Sequence, residues 1–228
     1  MILNMQDTII VSDFDGTITK TDTLSKFLEE YADDKWLDIE NDWRDGKFGS
    51  QECLVKQFAL VPNLSPSLIE QFLNRMEIDE GFIPFALKAK KNKIPVVVLS
   101  DGLDYFINKI FEKYKIDFIN VITNHAYFDD RGKFIIEFPN DSKHCTNDAG
   151  TCKCKVVNNL KKRYKTVIYV GDGASDFCVS KEPHILYAKA GLEEYCIRNN
   201  FNFISYKTYD DINKYLFEKQ KELLNISR

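Results

Sequence analysis

Three short runs of uninterrupted apolar, largely β-branched residues punctuate the chain: Thr8 to Ser12, Ile94 to Leu99 and Thr166 to Val170. None alternates apolar with polar positions, so each reads as a strand covered on both faces, as in a parallel sheet between helices. Each ends abruptly in a small, acidic, glycine-containing loop. The loops are Asp13-Phe14-Asp15-Gly16-Thr17, Ser100-Asp101-Gly102 and Gly171-Asp172-Gly173-Ala174-Ser175-Asp176. Ile119 to Thr123 and Ile185 to Tyr187 read as further strands, Phe203 to Ser205 as an edge strand, and Phe128 to Phe134 as a hairpin turn. Elsewhere the period lengthens. Apolar residues at 103, 106, 107, 110, 111 and 114 mark one face of a helix over Leu103 to Tyr114, and an amphipathic helix is expected at the C-terminal end.

The segment from 20 to 90 differs: it holds helical stretches and no convincing strand. Ser65-Pro66 is a helix start, with a capping hydroxyl followed by proline at the first helical position, and Ser50 opens another candidate. The expected organisation is an α/β fold: a three-layer, parallel-sheet core of Rossmann type over 1–19 and 91–228, with a helical cap inserted over 20–90. Ligands of open α/β sheets bind at the carboxyl ends of strands, so the three acidic loops are expected to meet at one site. The insert would cover that site or serve packing alone.

Composition narrows the partners. With 31 basic against 35 acidic residues the net charge is −4, which argues against a nucleic-acid surface. The 44% apolar content is ordinary for a folded domain, and the longest strongly apolar run is far too short to span a bilayer. Six cysteines, at 53, 145, 152, 154, 178 and 196, would suggest disulfides in a short secreted chain. Here the chain is longer, and Met1 to Asp7 shows no basic segment followed by an apolar one, so reduced thiols and a cytoplasmic location are expected. Oligomeric state is not legible.

The loops carry the chemistry. Asp13 and Asp15, two positions apart at a strand end, suit a nucleophilic carboxylate that forms an acyl phosphate and a second carboxyl that handles the proton of the departing oxygen. Gly16 permits the tight turn, and the Thr17 hydroxyl is available to a phosphate oxygen. Asp172, between two glycines, can share a cation with Asp13, and Asp176 suits a supporting place; a few carboxylates satisfy Mg²⁺. Ser100, Asp101 and Gly102 read as a hydroxyl and amides leading into a helix N-terminus, a natural phosphate site. Four acids also need a cation. Cys152-Lys153-Cys154-Lys155 opens a helix before the strand at Thr166; Lys155 is the preferred residue and Lys153 the alternative.

DxDGT, an apolar strand ending in Ser, a lysine and GDGxSD, in that order, resemble the haloacid dehalogenase superfamily along the whole chain. The resemblance implies a Mg²⁺-dependent phosphatase working through an aspartyl phosphate. It makes Asp13 the nucleophile, Asp15 the acid/base, and Ser100 and Lys155 the phosphate-holding pair. Asp13, the Asp15 carbonyl and Asp172 would hold the metal, with Asp176 close by. An insert after the first strand resembles the phosphoserine phosphatase branch, where Asp22 falls at the place of a longer, substrate-reading glutamate. The segment Phe138-Pro139 … His144-Cys145 … Gly150-Thr151-Cys152-Lys153-Cys154-Lys155 resembles that of methionine-salvage phosphatases acting on 2-hydroxy-3-keto-5-methylthiopentenyl 1-phosphate, and phosphocholine phosphatases carry a similar lysine. Phosphoserine, phosphocholine and pyridoxal phosphate remain alternative substrates, as does phosphoryl transfer to an acceptor other than water. His144, Cys145, Cys152 and Cys154 lack the paired spacing of a strong zinc site, and Trp36, Trp43 and Arg44 are candidate substrate contacts.

Overall fold

The computed structural model describes residues 7–143 and 148–218. Seven strands form one sheet in the order β4-β3-β2-β1-β5-β6-β7. They are β1 (Thr8–Ser12), β2 (Val96–Leu103), β3 (Asn120–Phe128), β4 (Phe134–Glu137), β5 (Thr166–Gly171), β6 (Ile185–Ala188) and β7 (Ile204–Ser205). All neighbours pair in parallel except β3 and β4, which form the expected hairpin. The continuous apolar runs follow from double coverage. Ile9 and Val11 face one layer with Val97, Leu99, Val167 and Tyr169, while Ile10, Val98, Ile168 and Val170 face the other. At about 1.5–3 kcal/mol for each large side chain buried, both faces contribute.

Helices α1 (Thr23–Tyr31), α2 (Trp36–Arg44), α3 (Ser50–Phe58) and α4 (Pro66–Leu73) make up the insert after β1. Ser65 caps α4, its hydroxyl accepting from Leu68 N at 3.3 Å, with Pro66 at the first helical position. The insert leaves and returns side by side, through an antiparallel bridge between Thr19 and Ile78. Helix α5 (Phe82–Lys91), inside the span 20–90, packs instead on the sheet layer: Phe82 and Phe85 meet Tyr209 at centroid distances of 4.9 and 5.1 Å. On the same layer lie α6 (Asp104–Tyr114) and α9 (Tyr209–Asn213), the latter continued by a π-turn to Glu218. The opposite layer holds α7 (Lys153–Lys161), a 3-10 segment (Ala174–Val179) and α8 (Ala190–Arg198).

The insert has no separate apolar core. Phe27 of α1 packs on Phe58 of α3, Phe72 of α4 and Phe106 of α6 at 5.9, 5.2 and 5.3 Å, and Phe58 reaches Phe134 of β4 at 5.2 Å. These rings join the sheet layer in one cluster.

Candidate active site

Strand β1 lies between β2 and β5, at the point where the connections change direction, so its carboxyl end opens into a crevice. Asp13 N donates to Val170 O of β5 at 2.9 Å, and the amides of Thr17, Ile18 and Thr19 all donate to Phe14 O, closing the loop. Gly16 has φ +71°, and a Cβ there would lie 2.4 Å from Asp172 Oδ2, so conformation and space both require glycine. Asp13, Asp172 and Asp176 bring carboxylate oxygens within 4.8 Å of one another.

The lysine is Lys153, not Lys155. Lys153 is buried, and its ammonium lies 2.9 Å from Asp13 Oδ1, 2.7 Å from Asp176 Oδ1 and 2.9 Å from Ser175 Oγ. Lys153 opens α7 on the face of buried Val157, one turn on, which packs against the sheet. Two residues further round the helix, Lys155 points away and donates to Asp141 O at 2.9 Å. Four-residue spacing from Val157 was the available signal.

Three other expectations change. Thr17 Oγ1 donates to Asp172 Oδ1 at 2.7 Å, so the buried hydroxyl steadies that carboxylate rather than facing a phosphate. Ser100 to Gly102 do not start a helix: β2 continues through them with a shifted register, and α6 begins at Asp104. Asp101 lines the cavity, but its carboxylate is taken up by the protein, accepting from Ser50 Oγ at 2.6 Å, Thr151 N at 2.7 Å and Asn124 Nδ2 at 3.2 Å. Asp176, expected near the metal as an outer-shell group or an occasional ligand, lies within the carboxylate trio and has both oxygens occupied. Oδ1 takes Lys153 and Tyr169 OH, while Oδ2 takes Asp172 N and Gly173 N at 3.0 and 3.3 Å. It organises the loop and the lysine from behind.

Asp15 lies between core and insert. Its Oδ1 accepts from Thr23 N at 2.9 Å and from Thr23 Oγ1, at the first position of α1. Its Oδ2 faces Gly102 and Ser100: a Cβ on Gly102 would lie 2.9 Å from Asp15 Oδ2 and 3.0 Å from Ser100 Oγ. Asp22 is the N-cap of α1, its Oδ1 accepting from Ser25 N at 2.8 Å. Thr23, Tyr169, Ser175 and Ser50 were all missed as partners. Each contact depends on tertiary packing, and only the first-turn geometry of Asp22 and Thr23 carries a local signal, that of a helix start.

Burial, and next the charge of Asp176, push Asp13 well above the ordinary carboxylate value against the pull of Lys153. Burial and Asp176 likewise raise Asp172 to about 6. Burial, then Asp22, raises Asp15 to about 7 despite the donors from Thr23. Burial alone would lower Lys153; Asp13 and Asp176 outweigh it and hold the ammonium charged. Asp13 and Asp172 crowd their carboxyl groups together with one ammonium between Asp13 and Asp176, and the side-chain ligands they offer are oxygens. That donor set suits a hard divalent cation.

A cavity of about 270 Å³ joins these groups to the insert. Its floor holds Asp13, Asp15, Ser100, Gly102, Asp172 and Ser175, and its roof Asp22, Leu24, Leu28, Glu40, Trp43, Arg44, Cys53, Leu54 and Gln57. Trp36 is not part of it; the ring is buried in the aromatic cluster. Of the suggested zinc group, His144 and Cys145 lie outside the described residues, while Cys152 Sγ and Cys154 Sγ lie 3.5 Å apart. Among the described residues no helix is long and apolar enough to cross a membrane.

The model of a family described as “Putative Phosphatase” matches residues 8–210. A 2-hydroxy-3-keto-5-methylthiopentenyl-1-phosphate phosphatase of Bacillus pumilus is 31% identical over 222 residues, covering 96% of this chain and 94% of its own. Among solved structures, a haloacid dehalogenase family hydrolase of Salmonella enterica serovar Typhi superposes with a TM-score of 0.71 at 18% identity, covering 93% of this chain and 71% of that one. A phospho-aspartyl intermediate analogue of phosphoserine phosphatase gives 0.66 at 21% identity, covering 92% and 99%. The order of the acidic loops and these likenesses agree: with the fold of a haloacid dehalogenase family hydrolase, the chain belongs to the “Putative Phosphatase” family, hydrolases of phosphoric monoesters.

Proposed function

We propose that this phosphatase hydrolyses a small phosphate monoester through a phosphorylated Asp13, with Mg²⁺ as cofactor, and that its substrate is the methylthiopentenyl enol phosphate named for its Bacillus relative. The observation that carries the reading is the convergence of Asp13, Asp15, Ser100 and Asp172 on a single cavity, with the ammonium of buried Lys153 against Asp13 behind its wall. Asp13 attacks phosphorus in line and the bond to the ester oxygen breaks. Asp15, protonated on Oδ2, gives its proton to that oxygen. Once ionised, Asp15 takes a proton from water as the water attacks the aspartyl phosphate, which releases inorganic phosphate and regenerates Asp13. Lys153 and Ser100 hold phosphoryl oxygens. Mg²⁺, held by Asp13, Asp172 and the Asp15 carbonyl, would offset the charge of the phosphoryl group.

The roof favours an apolar chain over a phosphoserine head. Leu24, Leu28, Cys53, Leu54 and Trp43 offer surface to a methylthio group, whereas Asp22 is shorter than a glutamate and is already engaged in capping α1. The test is a panel of monoesters assayed with Mg²⁺ and with chelator, comprising the methylthiopentenyl enol phosphate, phosphoserine, phosphocholine, pyridoxal phosphate and sugar phosphates. Phosphoserine turned over far above the rest would overturn the substrate, and full activity in chelator would overturn the cofactor.

A further inference from the structure

Nothing in the sequence motifs draws attention to Thr23, yet it is fully buried at the first position of α1 and makes two contacts with one atom. Its amide and its hydroxyl both donate to Oδ1 of Asp15. An oxygen that accepts two donors is a poor place for the carboxyl proton, since a hydrogen there would point at another hydrogen. The proton is thereby directed to Oδ2, the oxygen beside Ser100 and Gly102, all three residues lining the cavity. Asp15 belongs to the core, whereas Thr23 belongs to the insert. The bonded pair therefore joins the geometry of the reacting carboxyl to the seating of α1.

We infer that Thr23 is a positioning residue for proton donation: by occupying Oδ1 of Asp15 it presents Oδ2 to the leaving oxygen of the substrate. The inference rests on Asp15 as the proton donor proposed above. It separates two kinds of monoester. Alkyl esters leave as strongly basic alkoxides and need the proton, whereas p-nitrophenyl phosphate leaves as a stable phenolate and does not.

The experiment compares Thr23→Val and Thr23→Ser with the wild-type protein, measuring kcat/KM for an alkyl monoester and for p-nitrophenyl phosphate on the same samples. This parameter reports formation of the phosphoenzyme, and the ratio of the two substrates cancels any loss of folded protein. Thr23→Val is expected to lose about 10-fold on the alkyl ester and less than about 2-fold on p-nitrophenyl phosphate, a part of the 10²- to 10⁴-fold that a positioned acid supplies. Thr23→Ser, which keeps the hydroxyl, restores the alkyl activity. An equal loss on both substrates, no loss, or failure of serine to rescue overturns the role of Thr23. Asp15→Asn serves as the separate control: alkyl-ester activity near wild type in that variant overturns Asp15 as donor, whatever Thr23 does.

Discussion

The floor and the roof of the cavity are held by different physics. On and just behind the floor the acids are buried or half-buried and held by protein donors. Asp176 has four donors, Asp172 receives Thr17, and Lys153 sits between two carboxylates. The roof is looser: Arg44, mostly exposed, reaches Glu40 at 3.0 Å, and Gln57 Nε2 donates to the other Glu40 oxygen at 3.0 Å. An exposed pair of this kind is worth little, whereas truncating one partner of a buried pair costs about 3–5 kcal/mol. The difference separates reaction from selection. The floor fixes charges that any phosphate monoester needs, and the roof can change without disturbing them.

The sharpest break comes from the floor. Asp13→Asn should lower turnover by about 10⁴-fold or more on every substrate and abolish phosphoenzyme trapping, because no other group there takes over the attack. Next come the two lysines. Lys153→Ala is expected to cost about 3 kcal/mol in urea unfolding and roughly 10²-fold in kcat/KM, while Lys155→Ala should stay within about 2-fold of wild type. Comparable losses from both would dissolve the distinction between the faces of α7.

A subtler probe uses pH in chelator. Asp172, at about 6 in the fold, lies above the ordinary carboxylate value of about 4, so the folded chain binds that proton more tightly than the unfolded one. Its contribution to stability is complete below about pH 4 and is lost as pH rises through about 6, on the order of 2 kcal/mol. Melting curves of wild type and Asp172→Asn should therefore converge at low pH and diverge toward pH 7, with the asparagine variant the more stable. Mg²⁺ at about 100 times its dissociation constant should restore about 2.7 kcal/mol to the wild type. Parallel curves without a Mg²⁺ effect would remove the cation from the floor. The smallest change belongs to the roof. Arg44→Ala should alter KM about 3-fold to 10-fold for the preferred substrate and leave p-nitrophenyl phosphate nearly untouched. Equal effects on both would place Arg44 with the floor.

Strands and acidic loops were legible because burial on both faces of a parallel sheet leaves an unbroken apolar run, and such a run ends where the chain exits into the crevice. The runs at Thr8 and Thr166 match β1 and β5 within a residue. Local patterning failed where the outcome depended on which way a side chain turned. Thr17 and Asp101 sit in the right loops but bond to protein partners, and Lys153 rather than Lys155 reaches the acids because it shares the sheet-facing side of α7 with Val157. Ser100 to Gly102 looked like a helix start because hydroxyl, acid and glycine in a row suit a cap; instead pairing with β3 carries the strand onward to Leu103. The partners Thr23, Tyr169 and Ser50 come from distant elements, and spacing along the chain carries no record of them. Helix α5 falls inside a strand-free helical stretch, and only its packing through Phe82 and Phe85 sets it on the sheet layer.

The unbroken band of phenylalanines from the insert into the sheet layer restricts how a substrate gets in. Swinging all four inserted helices outward would strip Phe27 and Phe58 from Phe106 and Phe134, at about 1.5–3 kcal/mol for each ring exposed. Helix α2 buries only Trp36 while carrying Glu40, Trp43 and Arg44 over the opening. Yielding at that one helix is far cheaper than hinging the whole insert, so the doorway of this phosphatase is about two and a half turns of chain set in a stiffer wall.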